Sequence, residues 1–326
     1  MICYLLLVAL CVLSTKAKLN CGTPIISWTT GELTSTFTLC GAVLDDKIKK
    51  CTTWTRPNQF PTEPNSFHLT RFMEDAIGSI TDSISYTPGS RALEIGGPTQ
   101  WMNFYGSLEN KLDNVIQDSS DGYEKRGGVL PSSASSTATT TPYTIDGVLF
   151  GTTFFLDGAD LSTIESNSYD LVISSHNLEH FVDPLSALTE WDRVLSPDGH
   201  MLVIVPWKEN TFDRFREPST FEQILADHCE MGRNKEKLNE VIESKYEIMA
   251  GATDYTMMGR DSEEAEKSFR ERRNHSDPFW TDKYHWSVFT FETLADMFGS
   301  VGYEIVTSDL LKPYHMVVFA KKKKIT

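Results

Sequence analysis

Residues 168–206, SYDLVISSHNLEHFVDPLSALTEWDRVLSPDGHMLVIVP, constrain the fold more than any other part of the chain. Tyr169–Ser175 is apolar through its middle, the pattern of a central strand buried on both faces. Asp183-Pro184 then supplies a side-chain cap and a proline suited to the first helical position. Leu185, Leu188, Trp191 and Leu195 follow at helical spacing and predict one buried stripe. Ser196-Pro197-Asp198-Gly199 breaks that helix, and His200–Val205 reads as the next strand. Open α/β sheets place ligands outside the carboxyl ends of their strands. The segment at that end of the first strand is His176-Asn177-Leu178-Glu179-His180.

Two further strand–turn units point the same way. Arg91–Ile95 is a short apolar run that ends in Gly96-Gly97, where glycine allows close approach of a ligand to the backbone. Thr153–Leu156 runs into Asp157-Gly158, a carboxylate acceptor in a turn. Asn114–Ile116 is the candidate for the strand between them. Leu69, Phe72, Met73, Ala76, Ile77 and Ile80 predict a core helix ahead of the first sheet strand. Thr290 caps a later helix whose Leu294, Met297 and Val301 face inward, and Tyr303–Thr307 and His315–Ala320 read as the last two strands.

Taken in order, RALEIGG at 91–97 and the block at 168–206 resemble the two best-defined segments of a class I S-adenosylmethionine-dependent methyltransferase. The resemblance is to the type 11-like domain, in a branch that carries Gly-Gly-Pro as Gly96-Gly97-Pro98. It implies a Rossmann-like α/β fold, a seven-stranded mixed sheet with helices on both faces. An N-terminal extension and leading helix (18–88) precede the methyltransferase domain (89–326), and a helical substrate-lid insertion (207–285) follows strand five. The cofactor implied is S-adenosyl-L-methionine. Glu94, Gly96 and Gly97 would wrap its methionine end, and Asp157 with Gly158 would meet the adenine amino group. An acid after strand two would hold the ribose; Asp118 fits, with Asp113 as competitor. Ser175 and His176 complete the cofactor-binding set. Pro98 and Gln100 stand where the family pattern has later glycines, and Pro98 has no N–H to offer.

The implied reaction is in-line displacement at a sulfonium methyl, driven by alignment and exclusion of water. A hydroxyl acceptor also needs a base, and His285, His180 and Asp213 are the catalytic candidates. Arg214 and Arg216, in the segment after strand five, are the substrate-binding candidates, and no metal is expected. Two other readings stand beside this one. His176, Glu179 and His180 match the H-x-x-E-H pattern of one zinc peptidase group, which requires the histidines on one helical face. Pro98 and Gln100 motivate a methyltransferase fold that binds without catalysing.

The charge balance and the N-terminus set expectations about partners and location. A net charge of −15 disfavours nucleic acid, because phosphate binding needs clustered Lys and Arg. Met1–Leu13 is apolar and precedes small residues up to Ala17, as in a signal peptide spanning 1–17. Four cysteines (Cys21, Cys40, Cys51 and Cys229) lie beyond it, with Cys40 and Cys51 the nearest candidate disulfide pair. Asn274-His275-Ser276 is a glycosylation sequon, and 119–147 contains a flexible Ser/Thr-rich loop. The expected setting is the secretory pathway, lumenal or secreted, with a plastid or a signal-anchored location as alternatives. The expected partner is a small-molecule or glycan acceptor, with no membrane span left after signal cleavage and an oligomeric state that the sequence leaves open.

Overall fold

A computed structural model describes residues 25–30, 34–40, 52–57, 59–62, 81, 84, 87–99, 105–117, 139–231, 235–259, 262–271 and 284–323. The signal segment, the helix over 69–80, Asp118, Gln100, Cys21, Cys51 and the sequon at 274–276 lie outside them, as does the Cys40 side chain. Among the described residues no helix is long and apolar enough to cross a membrane.

The first three strands are β1 (Ile25–Thr30), β2 (Thr34–Cys40) and β3 (Thr52–Pro57), an antiparallel three-stranded sheet. Their Thr-rich composition has no clear periodicity, so the sequence predicts only an irregular extension there. The remaining strands are β4 (Ala92–Ile95), β5 (Leu112–Ile116), β6 (Thr140–Ile145), β7 (Val148–Phe155), β8 (Tyr169–Ser175), β9 (Leu195–Pro206), β10 (Tyr303–Leu311) and β11 (His315–Lys322). They form one eight-stranded sheet in the order β10-β11-β9-β8-β4-β5-β7-β6. The five central strands run parallel, whereas β6, β10 and β11 pair antiparallel with their neighbours.

The expected seven strands are present, and the eighth is β6. Its residues fall inside the segment expected to be a loop. Pro142 argues against a strand interior, yet on a sheet edge the missing N–H costs no ladder bond. The turn Asp146-Gly147, both residues at positive φ, then returns the chain into β7. β5 also starts two residues earlier than its apolar run suggests, because Asp113 is buried with its own partners.

Among the described residues five helices are seen whole: α1 (Pro184–Val194), α2 (Phe221–Met231), α3 (Lys235–Ala252), α4 (Ser262–Glu271) and α5 (Phe291–Ser300). α1 buries Leu185, Leu188, Trp191 and Val194 on the face of the sheet that carries Leu93, Ile95 and Val172, where α2 and α5 also pack. The opposite face carries Ala92, Leu171 and Ile173 together with Tyr143, Phe150 and the helical residue Ile84. A third apolar cluster lies within the insertion, built from Tyr246, Met249, Tyr255, Phe269, Tyr284 and Trp286. The insertion therefore has an apolar cluster of its own. β3 joins the main body through an ion pair from Arg56 to Asp296 on α5, 2.8 Å long.

Asp183 caps α1 as its sequence position predicts: the carboxylate accepts from Ser186 N (3.2 Å) and the Ser186 hydroxyl (2.6 Å). It also contacts Nδ1 of the buried His228 on α2 at 2.8 Å. Burial pushes the Asp183 pKa up, but the charge and hydrogen bond of His228 and the Ser186 bonds outweigh it and hold it below the usual carboxylate range. A folded value below the unfolded one contributes stability above the ordinary carboxylate pKa, and that contribution is lost as pH falls through the folded value. Asp183→Ala is expected to cost about 2 kcal/mol near neutral pH through the lost cap and the stranded imidazole. Urea unfolding across the acid range should show the gap to the parent chain narrowing as pH falls.

Candidate functional site

The sheet order reverses between β4 and β8. From β4 the chain proceeds outward through β5 and β7, and from β8 it proceeds through β9 on the other side. A crevice therefore opens at the carboxyl ends of these two strands, the place where open α/β sheets bind ligands. Gly96 lies there at φ 78°, a left-handed backbone that favours glycine. A Cβ on Gly96 would overlap the side-chain amide of Asn177, and one on Gly97 would overlap the carboxylate of Glu94. Asn177 Nδ2 donates to Ile95 O (2.8 Å) and Ser175 O (2.7 Å), tying the ends of β4 and β8 together. Asn114 on β5 holds Gly97 from the other side, accepting from its N–H at 3.0 Å and donating to its carbonyl at 3.3 Å.

Several residues expected at the cofactor have structural duties. Glu94 is fully buried; Oε1 accepts from Thr99 N (3.0 Å) and Oε2 from the Tyr143 hydroxyl (2.6 Å). It braces the turn from below. Asp113 is likewise committed, to Arg91, to the Tyr169 hydroxyl (2.7 Å) and to Thr152 N (2.8 Å), which removes it as the ribose acid. Asp157 is exposed after β7 and accepts from Ala159 N (2.8 Å), so it closes its own turn. Gly158 is required by packing: a Cβ would press on the Phe181 ring, and its carbonyl accepts from the Trp191 indole at 2.9 Å. Ser175 fits a ligand better. Its Oγ is buried at the end of β8 with no hydrogen-bond partner, and an occupant of the crevice would supply one. The pre-formed glycine turn and this orphaned hydroxyl are compatible with a nucleoside-type cofactor.

His176 has φ 52°, a conformation that costs a residue with a β-carbon about 1–2 kcal/mol. The left-handed step turns the chain out of β8 and into the 3-10 turn Leu178–His180. His176 Nε2 lies 2.8 Å from His315 Nδ1 on β11. Burial and then the neighbouring His176 push the His315 pKa down to about 4. The zinc-peptidase arrangement does not form, because His176 and His180 share no helix face. That rival reading is withdrawn.

Beside this turn stands a second cluster, assembled from the lid. Trp286 N donates to Glu179 O (2.7 Å), which docks the returning segment 284–290 on the turn and brings His285 beside His180, with ring centroids 4.8 Å apart. His285 Nδ1 lies 2.5 Å from Asp213 Oδ2. Arg216 Nη1 bonds Asp213 Oδ1 (2.6 Å) and the His285 carbonyl (2.7 Å). Burial alone would raise Asp213, but His285 and then Arg216 hold it below the usual range. Burial likewise favours the neutral acid of Glu179, and the imidazoles of His176, His180 and His285 override it and lower its pKa. His180 is pushed down first by burial, against the pull of Glu179.

The three catalytic candidates, His285, His180 and Asp213, therefore meet at one place. The Arg216 side chain is 6% exposed and clamps the cluster. Arg214 pairs with the buried carboxylate of Asp254 and lies over the Phe215 ring. Asn177, Asn114, Tyr143, Lys208 and Asp254 were not foreseen. Lys208 Nζ donates to the carbonyls of Arg214 and Arg216 at 3.0 Å each and pins the segment that carries Asp213. No period in the sequence marks these residues, since each is defined by a hydrogen-bond or ion-pair partner and not by burial on a repeat. A cavity of about 460 Å³ borders the cluster, with Arg216, Ser219, Ile224, Lys245 and Trp286 among its lining residues.

Residues 146–203 match the family model described as a methyltransferase domain, and they span β7, β8, α1 and most of β9. No curated protein matches the sequence. Solved structures with similarity include the trans-methyltransferase CalH in complex with SAH (14% identity, 75% of this chain and 55% of that chain, TM-score 0.38). Others are a SAM dependent methyltransferase from Aquifex aeolicus (11%, 78% and 94%, TM-score 0.37) and one from Mesorhizobium loti (12%, 77% and 100%, TM-score 0.39). The chain spans about half the length of the CalH chain it matches. At such low TM-scores these likenesses say nothing of substrate or site residues.

Gly96→Ala is expected to cost about 1–3 kcal/mol in urea unfolding, from its φ and the overlap with Asn177. Because that overlap is with the Asn177 amide, Gly96→Ala/Asn177→Ala should be less destabilised than the sum of the two single changes. Strict additivity would show that the two residues do not meet.

Proposed function

We propose that this chain, a class I S-adenosylmethionine-dependent methyltransferase by its strand order and its matched domain, methylates a hydroxyl or carboxyl oxygen of a glycan in the secretory pathway. The observation that carries the methyl-transfer reading is the crevice at the sheet reversal, where Gly96 and Asn177 close a pre-formed turn beside the orphaned hydroxyl of Ser175. When bound, the cofactor supplies an electrophilic methyl on a sulfonium. The glycan and the secretory setting are supported by the apolar N-terminal segment and the Asn274 sequon, together with an acidic composition that disfavours nucleic acid.

The chain's own contribution is alignment, exclusion of water and management of a proton. Gly96 and Gly97 present backbone at the crevice, and Ser175 adds a hydrogen bond. Phe181 packs over Gly158, and the Phe212 and His285 ring centroids lie 4.6 Å apart. A hydroxyl acceptor must lose its proton near the crevice. Glu179, His180, His285 and Asp213 are gathered beside the turn that follows β8, and the lid that brings His285 there also borders the cavity at Arg216 and Trp286. A carboxyl acceptor is already ionised at neutral pH and asks only for orientation.

Calorimetric titration of the purified chain with S-adenosylmethionine and S-adenosylhomocysteine should give micromolar binding. Ser175→Ala should weaken it about fivefold, the loss of one hydrogen bond, with no loss of thermal stability because the hydroxyl has no partner within the protein. No binding to a well-folded sample would sink the methyltransferase reading. Binding without product on any glycan, small-molecule or protein acceptor would favour the non-catalytic module instead.

A further inference from the structure

We propose that Glu179, His180 and His285 form a binding site for a single divalent transition-metal ion. Each offers one donor atom, and these atoms lie within 4.8 Å of one another. Bonds of about 2.0–2.2 Å to a shared ion draw such donors closer still, by side-chain rotation about a fixed backbone. The backbone is fixed: Glu179 and His180 share the 3-10 turn after β8, and the hydrogen bond from Trp286 N to Glu179 O places His285 over them.

Three observations point to a cation. The Glu179 side chain is 1% exposed, and neither carboxylate oxygen has a hydrogen-bond partner. Its nearest imidazole nitrogens, His176 Nδ1 and His180 Nε2, stand 3.6 and 3.8 Å away, beyond hydrogen-bond length. A buried carboxylate left in this state is costly, and a coordinated ion removes the cost. Second, His285 is held in the manner of a metal-ligating histidine. Nδ1 is engaged by the Asp213 carboxylate, which Arg216 holds in turn, so Nε2 is left to face the cluster. Third, His180 Nδ1 is buried without a hydrogen bond, so this ring also retains unsatisfied capacity.

Two imidazoles and one carboxylate suit Zn²⁺, Mn²⁺, Fe²⁺ or Co²⁺ better than Ca²⁺ or Mg²⁺, which prefer all-oxygen sets. Three protein ligands leave coordination positions open, as catalytic sites do. His176 stands outside the set: its Nδ1 lies 3.6 Å from the Glu179 carboxylate, but the donor atoms that fall within 4.8 Å of one another are those of Glu179, His180 and His285. The role of the ion rests on the methyl-transfer reading. An acceptor hydroxyl ligated to it has a lowered pKa and releases its proton to water. His285 and His180 then act as ligands, and no side chain has to serve as the base. The ion would also bridge the turn after β8 to the segment 284–290.

The test uses the tag-free full chain, stripped with chelator and titrated calorimetrically with Zn²⁺ and with Mn²⁺, with Co²⁺ as an absorbing probe. One ion per chain is expected, with visible Co²⁺ bands that vanish in His180→Ala and His285→Ala at unchanged circular dichroism. Asp213→Asn should bind about 10–100-fold more weakly, the effect of losing an orienting partner. His176→Ala should bind as the parent does. Folded parent protein that takes up no stoichiometric ion overturns the site, whatever the variants do. So does full-affinity binding in both histidine variants. Cofactor binding in a chain that holds no metal would overturn the site alone, and metal binding in a chain that binds no cofactor would overturn only the methyltransferase reading.

Discussion

Asn177 joins the two halves of the sheet at the point where their direction of growth reverses. Its amide reaches from the end of β8 to the carbonyl of Ile95 at the end of β4, and it can do so only because residue 96 has no side chain. Asn114 completes the brace from β5. A crevice between parallel strands is an inherent outcome of reversed strand order, but its width is set by what crosses it. Here a single amide and two glycines set that width and hold the turn ready before any ligand arrives. Glu94, buried between Thr99 and Tyr143, carries the same brace to the edge strand β6.

The lid depends on that scaffold in turn. Its later helices have an apolar cluster of their own, α2 packs into the main core, and a small set of directional bonds joins the two parts. Trp286 docks on Glu179, Arg216 spans Asp213 and the His285 carbonyl, and Ser219 N donates to Val288 O at 2.8 Å where the insertion leaves and rejoins the body. These contacts concentrate charged and titratable groups in a nearly dry place. Buried charges of this kind are seldom retained for stability alone. Here they hold His285 beside His180 and Glu179 at the turn that follows β8.

Much of the fold was legible before any coordinates. The apolar strands at 92–95 and 169–175, the Asp183 and Thr290 caps, the stripe Leu185, Leu188 and Trp191, and the closing hairpin are local signals, set by burial on a period and by backbone chemistry at helix ends. The site was legible in part. His180, Asp213 and His285 were selected separately and converge, whereas Arg216, Glu94 and Asp113 turned out to support the structure. The strands β1–β3 and β6 were hidden because threonine-rich edge segments carry little apolar periodicity, and Pro142 signals a break where an edge tolerates one.

The sequence by itself determined the class of sheet, the strand carrying the glycine turn and the strand carrying the histidine segment, because each follows from residues near one another in the chain. Only the tertiary structure decided which polar groups face the crevice. Glu94 and Asp113 look like ligand-binding acids in sequence and become braces once Tyr143 and Tyr169 reach them from other strands. His285 becomes a neighbour of Glu179 only through an insertion with its own apolar cluster, docked by a main-chain hydrogen bond. The physical reason is the same in each case. Strand and helix formation are settled by local burial patterns, while the role of a buried polar group is settled by which distant donor or acceptor satisfies it.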